Sequence, residues 1–598
     1  MFGFSRANFF DTEFAIETDD SPRPICLVLR TWPDHLLYRI WLLGQRRLPA
    51  ELSKLLHSPD TVCIAYNIPA EISVLLKLGE PLPAHWIDLF AEYRAVTNGR
   101  RQPKERTRLI DALAHYGEFS IDAEEKEYWQ EMAMRCDPVE LEANRKGMLD
   151  YCQSDTDGLT ALAENPRMQA DLTKFHRDEM LFRGRSMVAR ARVVGVPVNA
   201  PLLRKITRHR LAARLAITQR AQTTHGWGAY NEAGVWCPLF DAAGGWNQDI
   251  YERWLKGQNI KLPRSRKSGQ IKRKVDVLSD FEIKHPELTP LRRTVHLRQL
   301  LQNFRVPVNG AGRSLWFANP FGSITGRDQP SSAENLFGLP KMFRQMIQPA
   351  EGNSLAYLDV SAEEVWILAR ASRSTAMEAA YRQDIYTQSL RKAGWSSEAA
   401  AADRNKRGKP FILAVGYGQG SHGLAPRLDI PEDAAAELIW RHRYRNFPEA
   451  NQYQRAIVAG AQRRRKTYFT PLGWPYWTGN LRSARSMMNF PMQSGGSDYM
   501  RVVLIASTEA GLRVCCCAHD GFLIEARTPE LEDAIRTMQL IMEAAGIALY
   551  GSTPIVRCEQ RIHHPHSFDP GLSPEEQKTW NTILRVIDEL EAQSTQAA

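Results

Sequence analysis

Residues 354–370 change period halfway along. SLAYLDV is apolar and alternating, as a strand is, and SAEEVWILAR directly after it has the spacing of an amphipathic helix. The switch places Asp359 at a strand end, immediately before a helix. A second segment, VCCCAHDGFLIEA within 512–526, reads as two apolar strands joined at His519-Asp520-Gly521, because Asp-Gly is a strong hairpin-turn signal. If the hairpin lies beside the first strand, Asp520 projects next to Asp359. Two-metal phosphoryl transfer needs acids from separate segments brought this close, so that the metals orient the nucleophile and neutralise developing charge. Neither segment alone distinguishes this from an ordinary hairpin.

Bulk properties narrow the classes. A chain of 598 residues, 43% hydrophobic and 24% charged, has material for three or four packed units. No run of eighteen apolar residues occurs, which argues against a membrane span. The start, MFGFSRANFFDTEFAIE, lacks a basic stretch followed by an apolar one, so a secretion signal is not expected and a cytoplasmic setting is. Nine cysteines form no CxxC pair, which points to reduced thiols and neither a disulfide framework nor a zinc site. The net charge of +9 is patchy: KLPRSRKSGQIKRK spans 261–274 and RRRK spans 463–466. Such patches suit a polyanionic partner.

The opening of the chain reads as α/β. Short strands are expected at Phe9–Glu17, Ile25–Arg30 and Thr61–Tyr66, and a helix at Pro138–Ala163, with a linker-like change at Asn165-Pro166. Residues 172–192 are helical and basic, ending at the turn Gly195-Val196-Pro197. From 200 to 310 the text is mostly helical, interrupted by a Gly/Trp-rich insertion at Gly226–Trp246 and by the basic loop. Helical text continues to about residue 460. No internal repeat occurs, and the tail AQSTQAA is expected to fray.

The order of several motifs carries more than any one of them. Thr325-Gly326-Arg327 and Glu334-Asn335-Leu336-Phe337-Gly338-Leu339-Pro340 come first, then DVSAEEVWILA from Asp359. GKPFILAVGYGQG from Gly408, NFPMQSGGSDYM from Asn489 and AHDGFLIE from Ala518 follow. This series resembles the family A DNA polymerases, especially the bacteriophage forms, strongly over 325–560 and more weakly in the flanks. The resemblance implies that Asp359 and Asp520 bind the catalytic metals and that Glu364 excludes a ribose 2′-hydroxyl. Lys409, Leu413 and Tyr417, at i, i+4 and i+8, share one helix face. In the family that face meets the incoming nucleotide: the lysine on triphosphate, the middle residue near sugar and base, the tyrosine under the nascent pair. Gln493 and Arg327 match residues that monitor the minor groove near the primer end, and His519 is expected close to the primer 3′ terminus. The basic loop resembles a thumb segment tracking duplex DNA.

Four departures stand out. Asn405 replaces an arginine common four residues before Lys409, with Arg404, Lys406 or Arg407 as substitutes. Pro410 follows Lys409, and a proline in a helix interior removes a hydrogen bond and can kink the helix. Gly521 replaces a glutamate that commonly follows the second aspartate. Leu413 also stands where an aromatic residue is common.

The front of the chain has its own acids. Asp11 and Glu13, two apart, share a strand face, and Tyr151 and Asp155, four apart, share a helix face. In this order they resemble the DEDD 3′→5′ exonucleases with a catalytic tyrosine. Tyr66-Asn67-Ile68-Pro69-Ala70-Glu71 resembles the middle motif, with Glu71 in place of the usual aspartate as a metal ligand. Asp88 and Asp157 are read as structural acids, and His563, His564 and His566 as a polar loop without metal-site spacing.

The resemblance therefore implies a multidomain α/β and α+β chain: an RNase H-like exonuclease domain at 1–165, then a right-hand polymerase. Thumb and connection are expected at 170–315, palm at 316–375 and 461–598, and fingers at 376–460. The implied activity is primer extension with dNTPs on a primer-template DNA, with Mg²⁺ at two per active site, Mn²⁺ as a substitute, and 3′→5′ proofreading. Replication accessory proteins are further expected partners of a monomer in phage or bacterial replication. No 5′-nuclease segment is expected ahead of Asp11. Two rivals remain at this stage: a degenerate DNA-binding scaffold, motivated by Gly521, Glu71 and Asn405, and a single-subunit RNA polymerase, which Glu364 and the front domain argue against.

Overall fold

The computed structural model of the chain describes every residue except 18–20, 101–105, 119–122, 136, 266–267, 317, 331–334, 465–466, 478–483 and 598. Glu334 of the second motif, Arg266 and Lys267 of the basic loop, and Arg465 and Lys466 therefore lie outside the described residues.

The front of the chain is built on five strands: β1 (Arg6–Ile16), β2 (Pro22–Trp32), β3 (Leu37–Trp41), β4 (Thr61–Ala65) and β5 (Trp86–Asp88). They run in the order β3-β2-β1-β4-β5, with β2 antiparallel to both β1 and β3, and with β4 and β5 parallel to β1. Both faces are covered, which explains why β4, TVCIA, is buried at every position. α1 (Pro69–Lys77), α2 (Ala123–Arg135) and α3 (Arg145–Glu164) supply the chemistry-bearing helices of this unit. The expected helix at 138–163 is two, Pro138–Ala143 and α3, broken at Asn144. β3 and β5 are strands that the sequence did not announce; each is no longer than five residues.

α4 (Arg177–Ala191) packs on β5 so closely that a Cβ on Gly184 would sit 2.1 Å from the Trp86 carbonyl oxygen. α5 (Ala200–His225) and α6 (Leu288–Asn303) pack together, and the Gly/Trp-rich insertion between them folds around its own apolar cluster of Trp227, Phe240, Tyr251 and Trp254. In the basic loop, Arg264 pairs with Glu252 and Arg273 lies over Trp246, while Lys261, Lys272 and Lys274 are exposed.

The second sheet has four antiparallel strands: β6 (Asn353–Val360), β7 (Arg513–Ala518), β8 (Gly521–Arg527) and β9 (Val556–His563), in the order β7-β8-β6-β9. β6 is central, so its apolar run is buried between neighbours on both sides. α7 (Glu363–Ala371) follows it directly, and α8 (Lys409–Gly416), α9 (Ala484–Glu509) and α10 (Leu531–Tyr550) surround it with a shared apolar core. Among the described residues no helix is long and apolar enough to cross a membrane, and every cysteine is a free thiol.

Candidate active sites

The register of the second sheet brings the two aspartates together. Asp359 pairs with Gly521 across β6 and β8, and the Val360 amide donates to the Asp520 carbonyl over 3.2 Å. Their carboxyl groups are in hydrogen-bond contact. Burial, then the adjacent charge of Asp520, pushes the Asp359 carboxyl up to about 8. Two acids that cannot comfortably ionise side by side form a site that a divalent cation would relieve, so the residues present fit such an ion.

Across an open cleft of about 530 Å³ from this pair lies the expected nucleotide face. Lys409, Leu413 and Tyr417 line it, as does Arg404. The helix bearing them, α8, ends at Gly416, and Tyr417 is its C-cap. The Tyr417 hydroxyl donates to Glu364 over 3.0 Å and accepts from the Gln493 side-chain amide over 3.3 Å. Arg327 donates to the Gln493 carbonyl over 3.1 Å and reaches Glu363 at 3.2 Å and Glu364 at 3.5 Å. His519, in a left-handed conformation at the hairpin turn (φ 59°), lines the same cleft. Arg404 is held by Asp384 over 2.8 Å, and Asn405 accepts from it. Asp359, Asp520, Glu364, Lys409, Leu413, Tyr417, Arg404, Arg327 and His519 thus border the cleft, and Gln493 bonds to Tyr417, which does.

Two departures acquire physical reasons. Pro410 sits in the first turn of α8, after a wider π-helical turn at Arg404–Gly408, and a proline is tolerated at such a position. Gly521 has no room for a side chain: a Cβ there would meet the Tyr357 hydroxyl at 2.6 Å and the Leu358 carbonyl at 2.7 Å. Tyr357 donates to the Ala518 carbonyl and fills that space.

Glu363 was not read from the sequence. It is 2% exposed, and a Cβ on Gly496 would fall 2.6 Å from its Oε2, so the QSGG segment supplies the space it needs. A second acid in a helix's first turn gives no separate signal in a sequence.

In the front unit Asp11, Glu13 and Asp155 each offer an oxygen within 4.8 Å of the others. β1 presents the first two on one face and α3 lays Asp155 and Tyr151 over them. Burial, then Asp155, pushes Asp11 up to about 7, and burial, then Asp11, pushes Glu13 up. Tyr151 is buried and its hydroxyl is pushed up by burial and by Glu13. Glu71 stands outside the group of three. It is nevertheless 2% exposed, its carboxyl is pushed up by burial and then by Asp11, and its Oε2 has no hydrogen-bond partner. A buried carboxylate near Asp11 with an oxygen left over is a donor that suits a divalent cation.

The acids read as structural are so placed. Asp88 accepts from the amides of Asn67, Ile68 and Phe90, fixing the loop before α1, and Asp157 is paired with Arg30. His563 bonds Ser354 and His564 the Pro349 carbonyl.

The fold defines the class first. The chain is similar to a solved structure titled "POL domain of Pol1 from M. smegmatis complex with DNA primer-template and dNTP", with a TM-score of 0.68, 18% identity, and coverage of 93% of this chain and 94% of that one. The model of DNA polymerase family A matches residues 258–557, half of the sequence, and the chain belongs to that family. Curated relatives include DNA polymerase I of Geobacillus stearothermophilus, 26% identical over 248 residues (37% of this chain, 28% of that protein). DNA polymerase I of Chloroflexus aurantiacus is 28% identical over 253 residues (38% and 26%). That of Caldicellulosiruptor bescii is 25% identical over 346 residues (51% and 40%). The matched segments thus span between about a quarter and two-fifths of those relatives' lengths.

Proposed function

We propose that this chain is a template-directed DNA polymerase that extends a primer with dNTPs, with a 3′→5′ exonuclease in its front unit, serving phage or bacterial DNA replication. The observation that carries the reading is the single cleft that Asp359 and Asp520 line together with Lys409 and Arg404. In this reading 1–165 is the exonuclease domain, 170–315 the thumb, 316–375 and 461–598 the palm and 376–460 the fingers, in a monomer that works with replication accessory proteins.

Asp359 and Asp520 would hold Mg²⁺ (Mn²⁺ as a substitute), which when bound neutralises the α-phosphate and eases deprotonation of the primer 3′-hydroxyl. The chain's own residues do the rest. Lys409 and Arg404 place the triphosphate by charge. Glu364, anchored by Tyr417, closes the space beside the sugar C2′ and so selects deoxynucleotides. Leu413 packs against sugar and base without hydrogen bonding. Arg327 and Gln493, joined to each other, face the minor groove at the primer end, and His519 flanks the primer terminus. In the front unit Asp11, Glu13, Glu71 and Asp155 would hold the ions of strand shortening, and Tyr151 would orient the attacking water.

One 5′-labelled primer on a longer template, with Mg²⁺ and with or without dNTPs, tests the whole. Extension is expected to vanish in Asp520→Ala and shortening in Asp11→Ala. Tight primer binding without extension in the wild type, across metals and salts, would instead make the chain a DNA-binding scaffold.

A further inference from the structure

A lysine stands inside the front acidic cluster. Lys126, on α2, donates from Nζ to Asp155 over 2.7 Å to one carboxylate oxygen and contacts the other as well. Both side chains are shielded, 20% and 15% exposed. The ammonium lies 5.8 Å from the centre of the Tyr151 ring, and its charge acts on Asp11 and Glu13, opposing the effect of burial on each. α2 is fixed over the site one turn further on, where Trp129 packs on Gly147 of α3 so tightly that a Cβ at Gly147 would fall 2.2 Å from the indole. Gln130, on the same stretch of α2, bonds Tyr151. Lys126 is half-buried, while Glu127, Tyr128 and Gln130 around it are exposed.

One ammonium does not balance this group. Three carboxylates converge within 4.8 Å, and a fourth, Glu71, is buried beside Asp11 with an oxygen that has no partner. The site therefore has a resident monovalent cation together with acceptor capacity that it leaves unused. A lysine is a point charge on a flexible four-carbon stem and can leave a carboxylate without moving the backbone.

We propose that Lys126 is a tethered counter-ion that competes with divalent metal for Asp155, so that the front site loads an ion only when the lysine swings away. The inference rests on reading this cluster as the exonuclease metal site. It makes Lys126 a positioning residue that sets the metal requirement of strand shortening separately from that of primer extension. Lys126 neutralises Asp155, the acid that α3 contributes, and its displacement frees that carboxylate to join Asp11 and Glu13 around an ion.

The test counts Mn²⁺ binding by electron paramagnetic resonance in the full chain carrying Asp359→Ala and Asp520→Ala, which removes the other metal pair. Lys126→Met is expected to tighten an Asp11-dependent Mn²⁺ site by at least about tenfold, in the range by which groups around a metal site shift its affinity. Lys126→Arg, which keeps the charge, is expected to stay as weak as the parent and shows that the site folds. With Asp359 and Asp520 restored, the Mg²⁺ midpoint for primer shortening is expected to fall by a similar factor in Lys126→Met. Equal Mn²⁺ affinity in parent and Lys126→Met, both abolished by Asp11→Ala, would overturn the lysine inference and leave the metal site standing. Absence of any Asp11-dependent Mn²⁺ site in either protein would overturn both.

Discussion

Glu363 lies in the first turn of α7 with one oxygen 3.2 Å from Arg327 and the other without a partner. Burial pushes its carboxyl from 4.5 up to about 8, although Arg327 pulls the other way. The folded chain therefore holds a proton that the unfolded chain has released, and stability must fall as pH rises from about 4.5 to about 8. Urea unfolding is expected to show the wild type losing on the order of 3 kcal/mol against Glu363→Gln between about pH 5 and pH 8. Parallel pH profiles for the two proteins would refute that assignment. Glu364, its neighbour, binds Tyr417 and faces the cleft. Glu364→Ala is expected to raise ribonucleotide against deoxynucleotide incorporation by about 10²-fold, because a pocket without that carboxylate no longer rejects one added hydroxyl. Competitive incorporation on a labelled primer measures it, and an unchanged ratio removes the gate from Glu364.

At the scale of elements, the β6–β8 pair decides where the two aspartates stand, and Gly521 is what lets the strands close. A Cβ at 521 would press on the Tyr357 ring hydroxyl and on the Leu358 backbone, and the backbone cannot turn aside. Gly521→Ala is expected to destabilise the chain by about 1–3 kcal/mol and to weaken extension along with it. The denaturant midpoint reports the first effect; a midpoint within error of the wild type would show that the pair has slack. Sequence reading found the strand, the hairpin and its turn because apolar runs and Asp-Gly are local signals. Pro410 stands at the start of α8 rather than in a helix interior, after a π turn that no local signal announces. β5, three residues long, is a strand only because β4 lies beside it.

For the molecule as a whole, the front unit is joined to the rest by buried polar contacts as well as by apolar surface. Arg183 of α4, 2% exposed at its side chain, makes two hydrogen bonds, of 2.8 and 2.7 Å, to the fully buried carboxylate of Glu92. Asn98 donates to the carbonyls of Ile324 and Pro475, and Trp477 to that of Ala95. One apolar cluster runs from Phe10 and Ile64 through to Trp474 and Phe490. Glu92→Ala would leave a buried guanidinium without its carboxylate and is expected to cost about 3–5 kcal/mol. Calorimetry should then show the front unit melting ahead of the remainder. A single transition at the wild-type temperature would mean that the apolar seam alone holds the two together.

The sequence by itself determined the family and most of the cleft's lining: Asp359, Asp520, Glu364, Lys409 and Tyr417 are each tied to a short motif whose local period fixes their direction. Asp11, Glu13, Tyr151 and Asp155 were legible for the same reason. Only the tertiary structure decided what stands between those motifs. Lys126 and Glu363 are ordinary helix residues in the sequence, and each gains its role from groups far along the chain, Asp155 and Arg327 respectively. Charge acts through space and burial through packing, and neither leaves a periodic trace along a chain.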